Sequence, residues 1–273
     1  MPEIGLIVPP DQPPERMIAV ARAAERADLT EVWLWEDCFA QSGVAPAAAL
    51  LAATDRLRVG LGLMPVPLRS VALTAMEIAT LHRIFPGRFL PGIGHGVLDW
   101  MGQVGARVES PLTLLREYAT ALRALLDGAE VTVTGRYVRL DQVRLRWPPL
   151  RPEPLLIGAV GRKTLALAGG LGDGVIFSGT DDPDRLAEGL AVARAARAEA
   201  PHSTPATPFE AVAFCAVPGD DSPESIAHRI GQYAAAGATR VAVLALGPEG
   251  PPEGSERLLD FVGRLAEAAR LTG

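Results

Sequence analysis

The chain has 273 residues, a length that suits one large domain or two small ones. Hydrophobic residues make up 48% and charged residues 21%, which is typical of a globular protein and excludes disorder along the whole chain. The net charge of −6, without any basic run, argues against a nucleic-acid-binding protein. The sequence contains neither a signal-peptide pattern nor an apolar run of membrane-spanning length, so we expect a soluble cytoplasmic protein that does not bind membranes.

The cysteine content excludes two further classes of protein. Cys38 and Cys215 lie far apart and no Cys/His spacing surrounds them. This pattern excludes a zinc module and a disulfide framework, and we predict no metal site.

Short apolar runs alternate with longer helical patterns along the chain. The pattern predicts eight strands, at residues 4–8, 31–34, 57–63, 88–93, 155–159, 174–177, 210–217 and 240–246. It also predicts eight helices, at residues 13–27, 45–53, 71–84, 112–127, 163–168, 182–199, 222–236 and 255–271. Strands separated by helices indicate parallel βαβ units.

Two segments interrupt this alternation. Residues 131–133 and 137–140 flank Thr134-Gly135 and predict a small hairpin, within an insertion at residues 129–150. Residues 200–208 are a Pro/Thr-rich linker. An open doubly wound sheet would fit the alternation, but eight units in roughly 250 residues favour a closed (β/α)8 TIM barrel. We therefore predict an α/β protein with one barrel domain over residues 1–273.

The chemistry of such barrels lies at the carboxyl ends of the strands. The second predicted strand is followed by Glu36 and Asp37, which are candidates for general acid/base work. Alternatively, these two residues lie in a solvated loop or cap a helix. The fourth strand is followed by His95 among glycines, which would let a ligand approach closely, although a loop histidine without a ligand would look the same.

The fifth strand leads directly into a helix through the segment from Gly158 to Gly161. The free amides and the positive dipole end of that helix would bind a phosphate. Arg162 and Lys163 stand in its first turn, where cations are unfavourable unless an anion offsets them. A tight turn with two solvated basic side chains is the alternative.

Three apolar side chains near the strand ends are candidates for a substrate pocket. They are Trp35, Trp100 and Met101. Each of them could equally pack within the barrel, so the sequence does not identify the substrate.

Four segments of the chain together resemble the luciferase-like monooxygenase superfamily. They are AERADLTEVWLWE at residues 24–36, RVGLGLMPVPLR at residues 58–69, residues 79–96 with PGRFLPGIGHG, and residues 154–174 with PLLIGAVG. Within the superfamily, the chain looks most like the oxidoreductases that use the deazaflavin coenzyme F420. The resemblance covers nearly the whole chain.

The resemblance implies a barrel with a flavin-type ring at the strand ends. It implies a bulge that holds a non-prolyl cis peptide, Gly62–Leu63, under the ring, with Met64 next to it. It further implies that the Val160 and Gly161 amides bind the cofactor phosphate. Members of the family often form homodimers, so a homodimer is an expectation for this chain as well.

Two positions depart from the family pattern. Family members often carry Asp-His after the second strand, where this chain has Glu36-Asp37. The sugar-phosphate dehydrogenases of the family place a glutamate after the fourth strand, where this chain has Val97. We therefore do not assign sugar-phosphate dehydrogenase activity, and His95 is the alternative proton donor.

The resemblance implies an F420-dependent oxidoreductase that transfers hydride between the deazaflavin and a small organic substrate. An FMN-dependent monooxygenase that activates oxygen is the alternative within the family. A Schiff-base aldolase is a rival, because Lys163 is the only lysine and barrels often use one, but an ammonium at a helix start is solvated. The third rival is a barrel that binds a ligand without turnover.

Overall fold

A computed structural model describes residues 1–178, 182–200, 208–248 and 254–273. Nearly all of the predicted linker at residues 200–208 lies outside these described ranges.

Eight parallel strands form a closed barrel. In chain order the barrel strands and the two strands of a separate hairpin are β1 (Glu3–Ile7), β2 (Glu31–Leu34), β3 (Arg58–Pro65), β4 (Phe89–Gly94), β5 (Val131–Thr134), β6 (Arg139–Val143), β7 (Leu156–Gly158), β8 (Gly174–Phe177), β9 (Glu210–Pro218) and β10 (Arg240–Leu246). The barrel follows the order β1-β2-β3-β4-β7-β8-β9-β10, and β10 pairs with β1 to close it. The prediction of a (β/α)8 barrel is confirmed.

The described ranges contain nine α-helices. They are α1 (Pro14–Arg26), α2 (Val44–Ala53), α3 (Val71–Ile84), α4 (Leu98–Gln103), α5 (Pro111–Leu126), α6 (Arg162–Leu171), α7 (Pro183–Glu199), α8 (Pro223–Ala235) and α9 (Ser255–Leu271). The hydrophobic pattern did not predict α4, because six residues are too few to show a helical period. No helix in the described part of the chain is both long and apolar enough to cross a bilayer.

The hairpin β5–β6 is antiparallel and lies outside the barrel, as predicted. Its second strand begins at Arg139, two residues later than expected. The reason is Glu117 on α5, whose carboxylate accepts hydrogen bonds from the backbone N–H groups of Arg136 (2.9 Å), Tyr137 (2.9 Å) and Val138 (3.0 Å). These donors lower the pKa of Glu117 and fasten the hairpin to α5.

The barrel interior is packed around Trp33, which is fully buried. Register places Gly60 of β3 beside Trp33 on β2. A methyl group on Gly60 would lie 2.6 Å from Cε2 of Trp33, and one on Gly5 would lie 2.8 Å from Cδ1. Both neighbouring strands therefore need glycine, because the indole ring occupies the volume of their side chains.

An ion network closes the amino-terminal end of the barrel. Glu31 is fully buried, accepts a hydrogen bond from Nε1 of Trp33 at 2.9 Å, and pairs with Arg240 and with Nε of Arg58, the latter at 3.1 Å. Arg240 also contacts Glu210 at 3.1 Å. Burial raises the pKa of Glu31, and the two guanidinium groups oppose that effect.

We expect Gly60→Ala to lower the free energy of unfolding by about 1–3 kcal/mol, the usual cost of overpacking a core. The matched control is Gly231→Ala on α8, where a methyl group meets no atom within 4 Å. That change should stabilise the protein by about 0.5–1 kcal/mol through helix propensity. Urea denaturation of both variants measures the difference. Equal effects would contradict the proposed packing of Trp33.

Candidate functional site

A cavity of about 620 Å³ opens at the carboxyl end of the barrel strands. Residues from all eight barrel strands, or from the loops that follow them, line it, and α4 and α6 complete the wall. The lining residues are Ile7, Trp35, Glu36, Gly62, Leu63, Pro65, His95, Gly96, Val97, Trp100, Gly158, Ala159, Val160, Gly161, Thr164, Ser178, Phe214, Ala216 and Leu244. The position agrees with where barrel enzymes carry their chemistry.

The floor of the cavity includes the end of β3. The Gly62–Leu63 peptide is cis, as predicted, and the β3–β4 register shifts between Leu61 and Met64, which is the predicted bulge. A second non-prolyl cis bond, which was not predicted, joins Cys38 and Phe39.

The side chain of Leu63 fills the space beside two glycines. A methyl group on Gly94 would lie 2.5 Å from Cδ2 of Leu63, and one on Gly158 would also collide with that atom. Gly158 lines the cavity and was predicted to contact the cofactor. Its lack of a side chain makes room for Leu63, so these glycines shape the floor as well as leaving the cavity open.

Glu36 lies on the cavity wall with its carboxylate tied to the protein. Oε2 accepts hydrogen bonds from the backbone N–H of Gly43, just before α2, and from Nη1 of Arg69, both at 3.0 Å. The side chains of Glu36 and Arg69 are only 7% and 13% exposed. Nε of Arg69 faces Glu77 on α3 at 3.8 Å, and burial raises the pKa of Glu77.

Asp37 does not line the cavity. Its Oδ2 accepts a hydrogen bond from Nε1 of Trp35 at 3.2 Å, and this contact holds the indole, which does line the cavity. Burial and the charges of Glu36 and Asp37 raise the pKa of the neighbouring Cys38 thiol. A thiol with a raised pKa is a poor nucleophile at neutral pH.

His95 lines the cavity opposite the first turn of α6. Its Nε2 lies 3.3 Å from Oγ1 of Thr164, which also lines the cavity, and its Nδ1 is enclosed by protein. Burial lowers the pKa of His95 below its ordinary value, because a charged ring would lose its hydration. The imidazole is therefore neutral at pH 7 and can exchange a proton at Nε2.

The β7–α6 turn forms another part of the wall. Val160 and Gly161 line the cavity, and Gly161 caps α6 without any side chain to satisfy the first amides of that helix. Ala159 donates its N–H to Ile176 O within the barrel, at 3.1 Å. Arg162 and Lys163 stand in the first turn with exposed side chains and do not line the cavity.

The other predicted site residues divide into two groups. Trp35 and Trp100 line the cavity, whereas Met64 and Met101 are buried beside it and do not. A methyl group on Gly96 would lie 3.4 Å from Cε of Met101, so this methionine packs beneath the His95 loop.

Several lining residues were not among the predicted site residues. Phe214 and Ala216 lie two positions apart on β9, and Leu244 lies on β10. The period of two in a strand was the available signal for these inward-facing side chains. Arg69 has no such signal, because its contact with Glu36 joins residues 33 positions apart.

A sequence profile of the luciferase-like monooxygenase family matches residues 2–268. The chain belongs to the luciferase-like monooxygenase family. This result confirms the resemblance found in the sequence.

Two relatives of this chain are an F420-dependent dehydrogenase and a methanopterin reductase. The chain is 30% identical over 223 residues to the F420-dependent hydroxymycolic acid dehydrogenase of Mycobacterium tuberculosis, covering 76% of this chain and 60% of that protein. It is 28% identical over 180 residues to a 5,10-methylenetetrahydromethanopterin reductase of Methanolobus tindarius, covering 66% of this chain and 55% of the relative. The matches thus span little more than half the length of these relatives.

Among solved structures, an F420-dependent secondary alcohol dehydrogenase in complex with an F420-acetone adduct superposes with a TM-score of 0.86 at 19% identity, with each chain fully covered. The coenzyme F420-dependent tetrahydromethanopterin reductase from Methanopyrus kandleri superposes with a TM-score of 0.80 at 18% identity, with 99% of each chain covered. At these identities the likeness shows that the fold is shared.

We expect Arg69→Met to lower the free energy of unfolding by about 3–5 kcal/mol, because it leaves the Glu36 carboxylate buried without its counter-ion. The matched control is Arg56→Met. Its ion pair with Asp28 is exposed at the surface, so the loss should stay below about 1 kcal/mol. Urea denaturation measures both. Similar small losses in the two variants would contradict the structural importance of the Glu36–Arg69 pair.

Proposed function

We propose that this protein is a coenzyme F420-dependent oxidoreductase that transfers hydride between the deazaflavin and a small organic substrate. The observation that carries the proposal is one continuous cavity at the carboxyl end of the barrel. It extends from Gly62–Leu63 to the amino terminus of α6 and also includes His95. The named F420 dependence of the M. tuberculosis relative supports the same function.

The residues of the cavity fit such a cofactor. The Val160 and Gly161 amides, with Arg162 and to a lesser degree Lys163, would hold its phosphate at the start of α6, where the helix dipole favours an anion. No atom lies within 4 Å of the position that a Cβ on Gly161 would take, so the backbone there is open to a ligand. Gly62 and Leu63 would support the ring.

The bound deazaflavin would accept or supply a hydride, and the chain would position the reactants. His95 would exchange a proton with the substrate oxygen at Nε2, with the Thr164 hydroxyl beside it. Glu36 is engaged by Arg69 and Gly43 and would act by fixing the wall next to the ring rather than by moving freely to the substrate. Asp37 would hold Trp35 in place.

The rival functions have less support. Lys163 is exposed on α6 and lies outside the cavity lining, so the Schiff-base aldolase lacks a lysine in its site. The FMN monooxygenase has less support than the F420 enzyme, because the first relatives are an F420-dependent dehydrogenase and methanopterin reductases. Cytoplasmic location, a homodimer, and a single domain over residues 1–273 with an insertion at 129–150 stay predictions.

The cofactor assignment is tested by titrating the protein with F420 and, separately, with FMN, following cofactor fluorescence. We expect F420 to bind more tightly than FMN. Arg162→Ala should weaken F420 binding about tenfold to hundredfold through the loss of a charged hydrogen bond, and Lys163→Ala should weaken it less. Tighter binding of FMN would favour the monooxygenase.

Gly161→Val should abolish F420 binding while the protein stays folded, because the valine would occupy only open space in the free protein. The backbone of Gly161 has φ −79° and ψ 146°, which valine adopts readily. Circular dichroism checks the fold. Wild-type affinity in a folded Gly161→Val variant would place the phosphate elsewhere.

The role of His95 predicts a pH dependence. Alcohol oxidation needs the neutral imidazole as proton acceptor, so kcat/KM should fall with decreasing pH, through an apparent pKa below the ordinary value of about 6.5. His95→Gln should lower the rate and remove this acid limb. His228→Gln, at an exposed position on α8, should leave the profile unchanged. An acid limb that persists in His95→Gln would assign the proton transfer to another group.

A further inference from the structure

In the part of the chain that the structure describes, neither lysine nor arginine lines the cavity, so no permanently cationic side chain there could receive an anionic substrate. Its two ionisable lining residues are Glu36, which is acidic, and His95, whose pKa is lowered by burial. An anion inside the cavity would therefore lose hydration without gaining a counter-ion.

The segments outside the described ranges cannot supply the missing charge. Residues 179–181, 201–207 and 249–253 contain neither lysine nor arginine, and they add Asp181, Glu249 and Glu253. Two of these segments follow β8 and β10 in the sequence, and the charged residues that they contain are acidic.

The basic residues nearest to the cavity have other roles. Arg69 donates to Glu36 at 3.0 Å and its side chain is largely buried, so it is not free to turn towards a substrate. Arg162 and Lys163 belong to the start of α6, at the end assigned to the cofactor phosphate. Basic charge is thus available at the phosphate end and absent from the remaining wall.

The remaining wall is mainly apolar. Trp35, Trp100, Phe214 and Leu244 supply apolar surface, and Pro65 and Val97 extend it. The polar groups among the lining side chains, besides Glu36 and His95, are the hydroxyls of Thr164 and Ser178 and the indole N–H groups of two tryptophans. The indole N–H of Trp35 already donates to Asp37, which leaves that of Trp100. Such a wall favours a molecule that is neutral and largely apolar, with one group that can hydrogen-bond to His95.

We propose that the substrate is an uncharged, mainly apolar alcohol or the corresponding ketone, and that Val97 is a specificity-determining residue that excludes anions. This proposal rests on the proposed F420-dependent function. Oxidation of such an alcohol would break its carbinol C–H and O–H bonds and form a carbonyl group; the bound deazaflavin would supply the hydride acceptor, and Nε2 of His95 would take the proton. The reverse reaction would return the hydride and the proton to the ketone.

Val97 is suited to this role by its position. It lines the cavity, is 47% exposed, and directly precedes α4 in extended backbone with φ −80° and ψ 120°. A lysine there would keep its ammonium hydrated and adopt the same backbone without strain. A single substitution can therefore place a cation at the cavity without disturbing the barrel.

The experiment compares neutral and anionic probes of the same shape. The pairs are cyclohexanol with trans-4-hydroxycyclohexanecarboxylate, and 2-octanol with 7-hydroxyoctanoate. Binding to the F420-loaded protein is measured by isothermal titration calorimetry, and oxidation is followed by the absorbance of F420. The variants are Val97→Lys and, as a control of similar length without charge, Val97→Met.

We expect the wild type to bind the neutral member of at least one pair about tenfold more tightly than the anionic member, and to oxidise it with the higher kcat/KM. Val97→Lys should raise affinity for the carboxylates about tenfold, an effect that Val97→Met should not reproduce. Equal or tighter binding of the carboxylates by the wild type, or binding of none of the four probes, would overturn the substrate class.

Unchanged carboxylate affinity in Val97→Lys would overturn the role of Val97. Failure of the wild type to bind F420 is a separate result, obtained before any probe is added. It would overturn the proposed function itself, so the two failures are distinguishable.

Discussion

Close packing of large side chains against glycines on neighbouring strands is the constraint on which this barrel depends. Trp33 occupies the interior only because Gly5 and Gly60 leave their side-chain volume to the indole ring. The same kind of packing occurs at the floor of the cavity, where Gly94 and Gly158 leave room for the side chain of Leu63. Since protein interiors are packed as densely as organic crystals, a methyl group at these positions has no free volume to enter. The strands can therefore close into a barrel only if each of these large side chains lies beside glycines on other strands.

Charge is placed differently at the two ends of the barrel. At the amino-terminal end, Glu31 is buried and compensated by Arg58 and Arg240, which ties β2, β3 and β10 together. At the carboxyl end, the acidic group on the cavity wall, Glu36, is compensated by Arg69 from behind the wall. Both carboxylates are buried with guanidinium partners, as buried charges require. The second pair has a consequence for chemistry, because it neutralises a wall residue without putting a cation into the cavity.

The cavity is consequently asymmetric. Its α6 end has free helix amides, and the exposed side chains of Arg162 and Lys163 lie just outside the lining there, an arrangement that suits an anionic tail. The rest of its wall offers apolar surface, a neutral imidazole and hydroxyl groups, which suit an uncharged reactant. The two parts of the cavity thus differ in the ligand charge that they suit, because the helix dipole acts at one part and the apolar wall at the other. The neutral state of His95 follows from the same burial that excludes water.

The alternation of strands and helices by itself determined the barrel, because hydrophobic period and turn residues are local properties of the chain. The rule that barrel chemistry lies at the strand ends then located Glu36, His95 and Gly161 without coordinates. Only the tertiary structure decided what these residues contact: that Glu36 is bound by Arg69, and that Asp37 faces Trp35 instead of the cavity. Such pairings depend on how distant segments pack together, and no local pattern in the chain encodes the distance between them.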